Sequence, residues 1–225
     1  MGSRDAKDAL FEAQAGVAKA LASGRRAEII DVLAQGERSV DDIAAELDQS
    51  VANTSHHLRT LARAGLLHSR RDGTRILYRL ASEDVAQLWT AIRDIAAQHV
   101  TGIQDLARAY LGRDDGLEPV SRAELARRVH DGAVLVLDVR PWPEYLAGHV
   151  SGARSMPIAE LERELDRLPR DVDVVAYCRG PYCVYADEAV RALRAHGVSA
   201  RRLEDGFPEW RRAGLPVAVG EGSSP

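Results

Sequence analysis

The stretch DVVAYCRGPYCVYADEAVRALRAHG, Asp173 to Gly197, places two thiols on a short loop between an apolar run and a helix-like run. The run Asp173 to Cys178 is apolar and rich in β-branched residues, so it reads as a buried strand. The residues after Cys183 read as a helix, and Gly180 and Pro181 break both patterns in between. Cys178 and Cys183 are the only cysteines of the chain. A strand, a tight loop and a helix form an anion cradle, because the loop N–H groups and the helix N-terminus point inward. A thiol held there is expected to have a lowered pKa and to be a thiolate at neutral pH. Arg179 is expected to add positive charge for an anionic substrate.

Working outward, AVLVLDV, Ala133 to Val139, is a second strand-like run, and such runs alternate with helical stretches over the C-terminal half. That alternation predicts an α/β fold with a parallel sheet. The N-terminal half reads mostly helical. The break between them is LGRDDGLEPVSR, Leu111 to Arg122, where Gly112, Gly116 and Pro119 interrupt the helical pattern. The expected organisation is therefore a first domain over residues 1–111, a linker at 112–118, a second domain at 119–219 and a disordered tail at 220–225.

The chain has 225 residues, 45% of them hydrophobic and 28% charged, enough apolar surface for two small cores. No apolar run reaches ~18 residues, so no membrane-spanning helix is expected. The N-terminus, MGSRDAKDALFEAQAG, lacks the apolar core of a signal peptide. A cytoplasmic protein is expected, with no membrane partner. Two cysteines are too few for a secreted disulfide framework and read as reactive chemistry. The formal net charge is −4, yet Ser50 to Leu80 carries six arginines against one acid, a local excess of five positive charges.

In the N-terminal half, RAEIIDVLAQG, VDDIAAELD and VANTSHHLRTLARAG read as successive helices, the last N-capped by Ser50 and closed by Gly65. LLHSR and RILYRL follow as a hairpin around Asp72-Gly73. A final helix is expected from about Ser82 to Leu111. A helix, a turn and a helix rich in short polar residues and arginine make a helix-turn-helix pattern. Asn53, Thr54, Ser55, His56, Arg59 and Arg63 on its second helix are the candidate groups for base edges and phosphates. Arg70, Arg71, Thr74 and Arg75 lie at the hairpin tip, suited to the DNA backbone or minor groove.

The segment SVDDIAAELDQSVANTSHHLRTLARAGLLHSRRDGTRILYRL, Ser39 to Leu80, resembles the ArsR-type winged helix-turn-helix regulators of bacteria, and the resemblance extends over about Ala9 to Leu111. It implies a cytoplasmic repressor that binds double-stranded operator DNA as a homodimer. Leu88, Ile92, Ile95, His99, Ile103, Leu106 and Tyr110 form an apolar stripe at helical spacing, which suits a dimer seam. The resemblance also implies where sensor ligands would sit, and they are missing. The helix before recognition has no cysteine, and the last helix has a lone histidine, His99, read as packed rather than ligating because zinc takes four ligands. No metal site and no cofactor are expected.

The segment VLDVRPWPEYLAGHVSGARSMPIAEL, Val136 to Leu161, resembles a hallmark of rhodanese domains, and LEDGFPEWRRAGLPV, Leu203 to Val217, resembles their closing motif, with Asp205 where a glycine is common. This resemblance implies that Cys178 is the nucleophile of a sulfurtransferase-like site and takes sulfane sulfur as a persulfide. It makes Gly180, Pro181, Tyr182 and Val184 the substrate loop, and Asp138 and Arg140 its support. Phosphatases on this fold carry an arginine where this chain has Val184, which speaks against phosphate. Two readings of Cys183 stay open: a small packed residue at a helix start, or a second thiol that resolves a modified Cys178.

The function expected is a transcriptional regulator whose rhodanese domain senses a small sulfane-sulfur donor or an oxidant through Cys178. The rival is a working thiosulfate or persulfide sulfurtransferase for which DNA binding is auxiliary. A plain interaction module on the rhodanese fold is a third reading.

Overall fold

The computed structural model describes residues 3–112, 119–169 and 172–220. Residues 113–118 of the expected linker and 221–225 of the expected tail lie outside the described residues. The chain divides into two compact units, Met1–His99 and Val100–Pro225, each described by itself.

The first unit opens with α1 (Arg4–Leu21), α2 (Gly24–Leu33), the short β1 (Arg38–Ser39), α3 (Val40–Glu46) and α4 (Val51–Arg63). Serines set three of these starts. Ser3 caps α1, Ser39 forms a capping box with Asp42 on α3, and Ser50 accepts from the Asn53 N–H at 3.3 Å. Asp48, at φ 49°, turns the chain between α3 and α4, a left-handed conformation that aspartate tolerates better than most residues. Ile29, Ile30, Ile43, Leu58 and Leu61 are fully buried where α2, α3 and α4 meet. Each buried aliphatic side chain stabilises by roughly 1.5–3 kcal/mol, so this cluster fixes the angle at which α4 is presented.

β2 (Leu67–Asp72) and β3 (Arg75–Leu80) form the hairpin, with Asp72 paired to Arg75. The turn residues are thus Gly73 and Thr74, one position later than Asp72-Gly73. β1 pairs with the other side of β3, giving the order β1-β3-β2. This third strand is too short to leave a period in the sequence.

The long final helix is not continuous. α5 (Glu83–His99) ends, and α6 (Ile103–Leu111) begins after Gly102, whose φ is 82°. The glycine takes a left-handed turn that helical residues avoid. Leu88, Ile92 and Ile95 on α5 are solvent-exposed, as are Leu106 and Tyr110 on α6. His99, expected to be packed, is exposed at the end of α5.

The second unit holds a parallel sheet of β4 (Leu135–Asp138), β6 (Arg154–Ser155), β7 (Val174–Tyr177) and β8 (Ala200–Arg202), in the order β6-β4-β7-β8. A parallel bridge, Val120 to Leu203, extends its edge. β5 (His149–Val150) pairs with β9 (Val217–Ala218) as a separate antiparallel ribbon. Successive residues of β7 face opposite sides. Val174 and Ala176 join one core with Leu137, Ala189, Val190 and Leu193. Val175 and Tyr177 join another with Leu125, Val150, Phe207 and Trp210. Both faces of the sheet are covered, which is why its strands read as continuous apolar runs. The covering helices are α7 (Arg122–His130), α8 (Trp142–Ala147), α9 (Leu161–Glu164), α10 (Tyr185–Ala195) and α11 (Phe207–Arg212). No described helix is long and apolar enough to cross a membrane.

Candidate functional site

The loop Cys178–Cys183 leaves the C-terminal end of β7 and enters α10 through Val184. This is the end of a parallel strand where open α/β sheets place their ligands. The loop folds back on itself: the Cys183 N–H donates to the Gly180 carbonyl at 3.1 Å. The Cys178 thiol lies 3.8 Å from the Gly180 carbonyl oxygen and 3.6 Å from that of Cys183. Both cysteines are free. Cys178 is only 2% exposed, whereas Pro181, Tyr182, Cys183 and Val184 are partly exposed and form the mouth of the loop.

The electrostatics correct two expectations. Cys178 is not the acidified thiol. Burial pushes it well above the usual thiol range, and the hydrogen bond it shares with Cys183 acts the same way, against the lowering effect of the Gly180 and Ala186 N–H groups. Cys183 is the lowered member of the pair. The hydrogen bond from Cys178 is the largest cause, and the N–H groups of Arg179 and Tyr185 and the charge of Arg179 add to it. Of the two thiols, Cys183 is therefore the one that loses its proton first.

The second correction concerns Arg179. Its guanidinium does not stand open for an anion. It is turned inward onto Glu144, with Nε at 3.0 and 3.1 Å from the two carboxylate oxygens and a terminal nitrogen at 2.6 Å. Glu144 is buried on α8, and the Tyr185 ring lies 5.5 Å from the guanidinium. Glu144 stands in the motif Val136 to Leu161, but nothing in its spacing marked it as the partner of Arg179.

Asp138 and Arg140 lie beneath the loop, both fully buried and paired at 2.5 Å. Arg140 also donates to the Gly148 carbonyl at 2.7 Å and lies 4.4 Å from the centre of the Phe207 ring. Tyr177 donates to Asp138 at 2.5 Å and accepts from the Val150 N–H at 3.0 Å. Burial lowers the Arg140 pKa, but the Asp138 carboxylate more than offsets it and holds the guanidinium charged. Burial and the nearby carboxylate keep Tyr177 protonated, well above its usual range. With every member bonded, this network clamps the strand end that carries Cys178. Arg140 has no route to a ligand from there.

From the other side, α11 supports the loop. The Phe207 N–H donates to the Cys178 carbonyl at 3.1 Å. Asp205, where rhodanese domains commonly have glycine, pairs with Arg122 at 3.3 Å on the flank of this turn.

In the first unit, α4 presents Asn53, His56, Arg59 and Arg63 to solvent, with Ser55 partly exposed. Thr54 does not belong to that face. It is fully buried, and its hydroxyl has no hydrogen-bond partner, so it cannot reach a base edge. The period of α4 carries Leu58 and Leu61 inward and takes Thr54 with them. At the wing, Arg70, Arg71, Thr74 and Arg75 are all exposed. Arg70 is held by both oxygens of Glu37, at 3.0 and 2.9 Å from its Nε. Glu37 was not visible as a wing partner, since it lies 33 residues away in sequence.

Two family models match the chain: that of bacterial regulatory proteins of the arsR family over residues 23–69, and that of the rhodanese-like domain over residues 121–213. The HTH-type transcriptional regulator Rv0324 of Mycobacterium tuberculosis is 48% identical over 219 residues, covering 97% of this chain and 96% of that protein. A sulfurtransferase of Allochromatium vinosum is 30% identical over 104 residues, covering 46% of this chain and 96% of that protein. Among solved structures, the homodimeric winged helix-turn-helix DNA-binding domain of a Mycobacterium bovis protein is 45% identical. It covers 44% of this chain and 93% of that one, with a TM-score of 0.42.

Proposed function

We propose a sensing function from the premise that the chain belongs to the ArsR family of bacterial transcriptional regulators and carries a rhodanese-like domain. It acts in the cytoplasm as a repressor on double-stranded operator DNA, through α4 and the wing, and it responds to sulfane sulfur or an oxidant at Cys178. The observation that carries this reading is the placement of the thiols. Both cysteines lie in one loop of the rhodanese-like domain, and the DNA-binding half has none.

Cys178 accepts a sulfur atom from a small donor and becomes a persulfide, in a loop whose N–H groups face the sulfurs. The modified loop changes charge and shape. That change moves the regulator from a DNA-competent to a DNA-incompetent arrangement and relieves repression, as a two-state element biased by differential contacts. The protein works as a homodimer, because Leu88, Ile92 and Ile95 form an exposed apolar row on α5 that a second copy would cover.

A second reading is favoured by the similarity to the Allochromatium vinosum sulfurtransferase over the C-terminal half. In it the chain turns over thiosulfate or persulfide, and DNA binding is auxiliary. Two assays separate the readings: affinity for its own upstream DNA with and without inorganic polysulfide, and thiosulfate turnover. A polysulfide response that disappears in Cys178→Ser supports the sensor. Rapid turnover with indifferent DNA affinity supports the enzyme.

A further inference from the structure

We propose that Cys183 is the resolving thiol of the site, converting a Cys178 persulfide into an internal Cys178–Cys183 disulfide and releasing the extra sulfur as sulfide. The proposal rests on the reading that Cys178 takes sulfane sulfur, and it deepens that reading by giving the modified state a definite covalent form.

The loop geometry carries it. Five residues of extended chain would separate the two cysteines by about 17 Å. The turn closed by the Cys183 N–H and the Gly180 carbonyl instead brings Cys183 back over the strand end. There the Cys178 sulfur is 3.6 Å from the Cys183 carbonyl oxygen, so the residue that carries the second thiol sits directly on the first. A cysteine that served only to pack would need no such arrangement. Cys183 touches the apolar cluster around Cys178 but keeps an exposed side, and the N–H groups of Arg179 and Tyr185 face its sulfur.

Burial decides which thiol completes the reaction. Cys178 is 2% exposed, so an external thiol must displace the loop mouth to reach its inner sulfur. Cys183 is already in place, and an oriented intramolecular group acts at an effective concentration far above that of any thiol in solution. The thiolate is the form that attacks, and the N–H groups of Arg179 and Tyr185 and the Arg179 charge, none of which depends on the Cys178 proton, favour that form of Cys183.

The chemistry balances in two steps. First, with Cys183 deprotonated, Cys178 passes its proton to the Cys183 sulfur and attacks a low-molecular-weight persulfide or inorganic polysulfide. An S–S bond forms to the terminal sulfur, the donor's S–S bond breaks, and the shortened donor leaves as a thiolate or shorter polysulfide. Second, Cys183 releases that proton to solvent and its thiolate attacks the inner sulfur of Cys178–S–SH. The Cys178–Cys183 bond forms, the bond to the outer sulfur breaks, and that sulfur leaves as HS⁻. Two thiols are oxidised and one sulfane sulfur is reduced to sulfide.

The test uses the full reduced chain treated with inorganic polysulfide, then alkylated and digested without reductant for peptide mass spectrometry. Released sulfide is measured in parallel. Wild type is expected to yield a Cys178–Cys183 linked peptide with no extra sulfur, and to release about one sulfide per linkage more than Cys183→Ser does. Cys183→Ser is expected to accumulate persulfide on Cys178 without linkage. If wild type and Cys183→Ser both stop at the Cys178 persulfide, the resolving role is overturned while the sensing reading stands. A bridge that retains additional sulfur overturns the release step. If Cys178 in Cys183→Ser never gains sulfur, the reading of Cys178 itself fails.

Discussion

Gly206 lies against the backbone of Gly180: a Cβ built on Gly206 would stand 2.3 Å from the Gly180 nitrogen. The constraint is one of space, since Gly206 has an ordinary extended backbone with φ −128°. The closing motif of the rhodanese-like domain is therefore the floor of the cysteine loop. Gly206→Ala forces backbone apart from backbone, which no side-chain rotation relieves. Overpacking of this kind costs about 1–3 kcal/mol, and the loop is the part that must move. Urea unfolding should show that loss, and Cys178 in the folded variant should react faster with a small alkylating reagent. An unchanged midpoint and an unchanged alkylation rate would show that the contact is dispensable.

The Asp138–Arg140 pair has a sharper prediction. Removing one charge of a buried pair strands the other, at a cost of about 3–5 kcal/mol. Asp138→Asn should lower stability by that order, because Arg140 stays charged and buried. Tyr177→Phe removes one bond from the same carboxylate and should cost about 1–3 kcal/mol. Denaturant titration of the three proteins checks the order: wild type, then Tyr177→Phe, then Asp138→Asn.

Reactivity at the loop should depend on pH in a defined direction. Cys183 is lowered chiefly by the hydrogen bond from Cys178, with a further pull from the Arg179 charge. Cys178→Ala removes that hydrogen bond, so the pH midpoint of Cys183 alkylation should rise. Glu144→Gln removes the carboxylate that neutralises Arg179, so the midpoint should fall in that variant. Alkylation rates measured from pH 5 to 10 read both shifts. Movement of either midpoint in the opposite direction would overturn this account of the loop electrostatics.

On α4, neighbouring residues should behave in opposite ways. Arg59→Ala should weaken DNA binding by about 1–3 kcal/mol whether it meets a base or a phosphate. Thr54→Val should leave DNA affinity unchanged, since Thr54 is buried. It should also raise stability by up to about 1 kcal/mol, because it replaces a buried hydroxyl that has no partner. Binding at fixed salt, together with thermal unfolding, checks both variants.

These cases show what could be read from the sequence. The parallel sheet was legible because β4 and β7 are buried on both faces and leave unbroken apolar runs. The helix-turn-helix unit was legible because Ser39, Ser50 and Gly65 mark its helix ends and Leu58 and Leu61 mark its inner face. The membership of Thr54 in that inner face follows from the same period, but its polar character hid it. The break at Gly102 was overridden by an apolar stripe that continues past it. What stayed invisible was pairing across the fold. Arg179 with Glu144, Arg70 with Glu37 and Gly206 with Gly180 each depend on tertiary placement, and no local pattern encodes them. The acidity of the two thiols was misassigned for the same reason. A loop at a helix start suggests a lowered thiol, but burial raises Cys178 and its hydrogen bond lowers Cys183 instead.

The most direct measurement is the affinity of the full chain for its own upstream DNA at one fixed salt concentration, before and after inorganic polysulfide, for wild type and Cys178→Ser in parallel. Salt must be held constant because phosphate contacts make affinity steeply salt-dependent. The account predicts that polysulfide weakens wild-type binding at least about tenfold, or ~1.4 kcal/mol, and leaves Cys178→Ser unchanged. Equal affinity in all four conditions would contradict the claim that the rhodanese-like domain is the sensor.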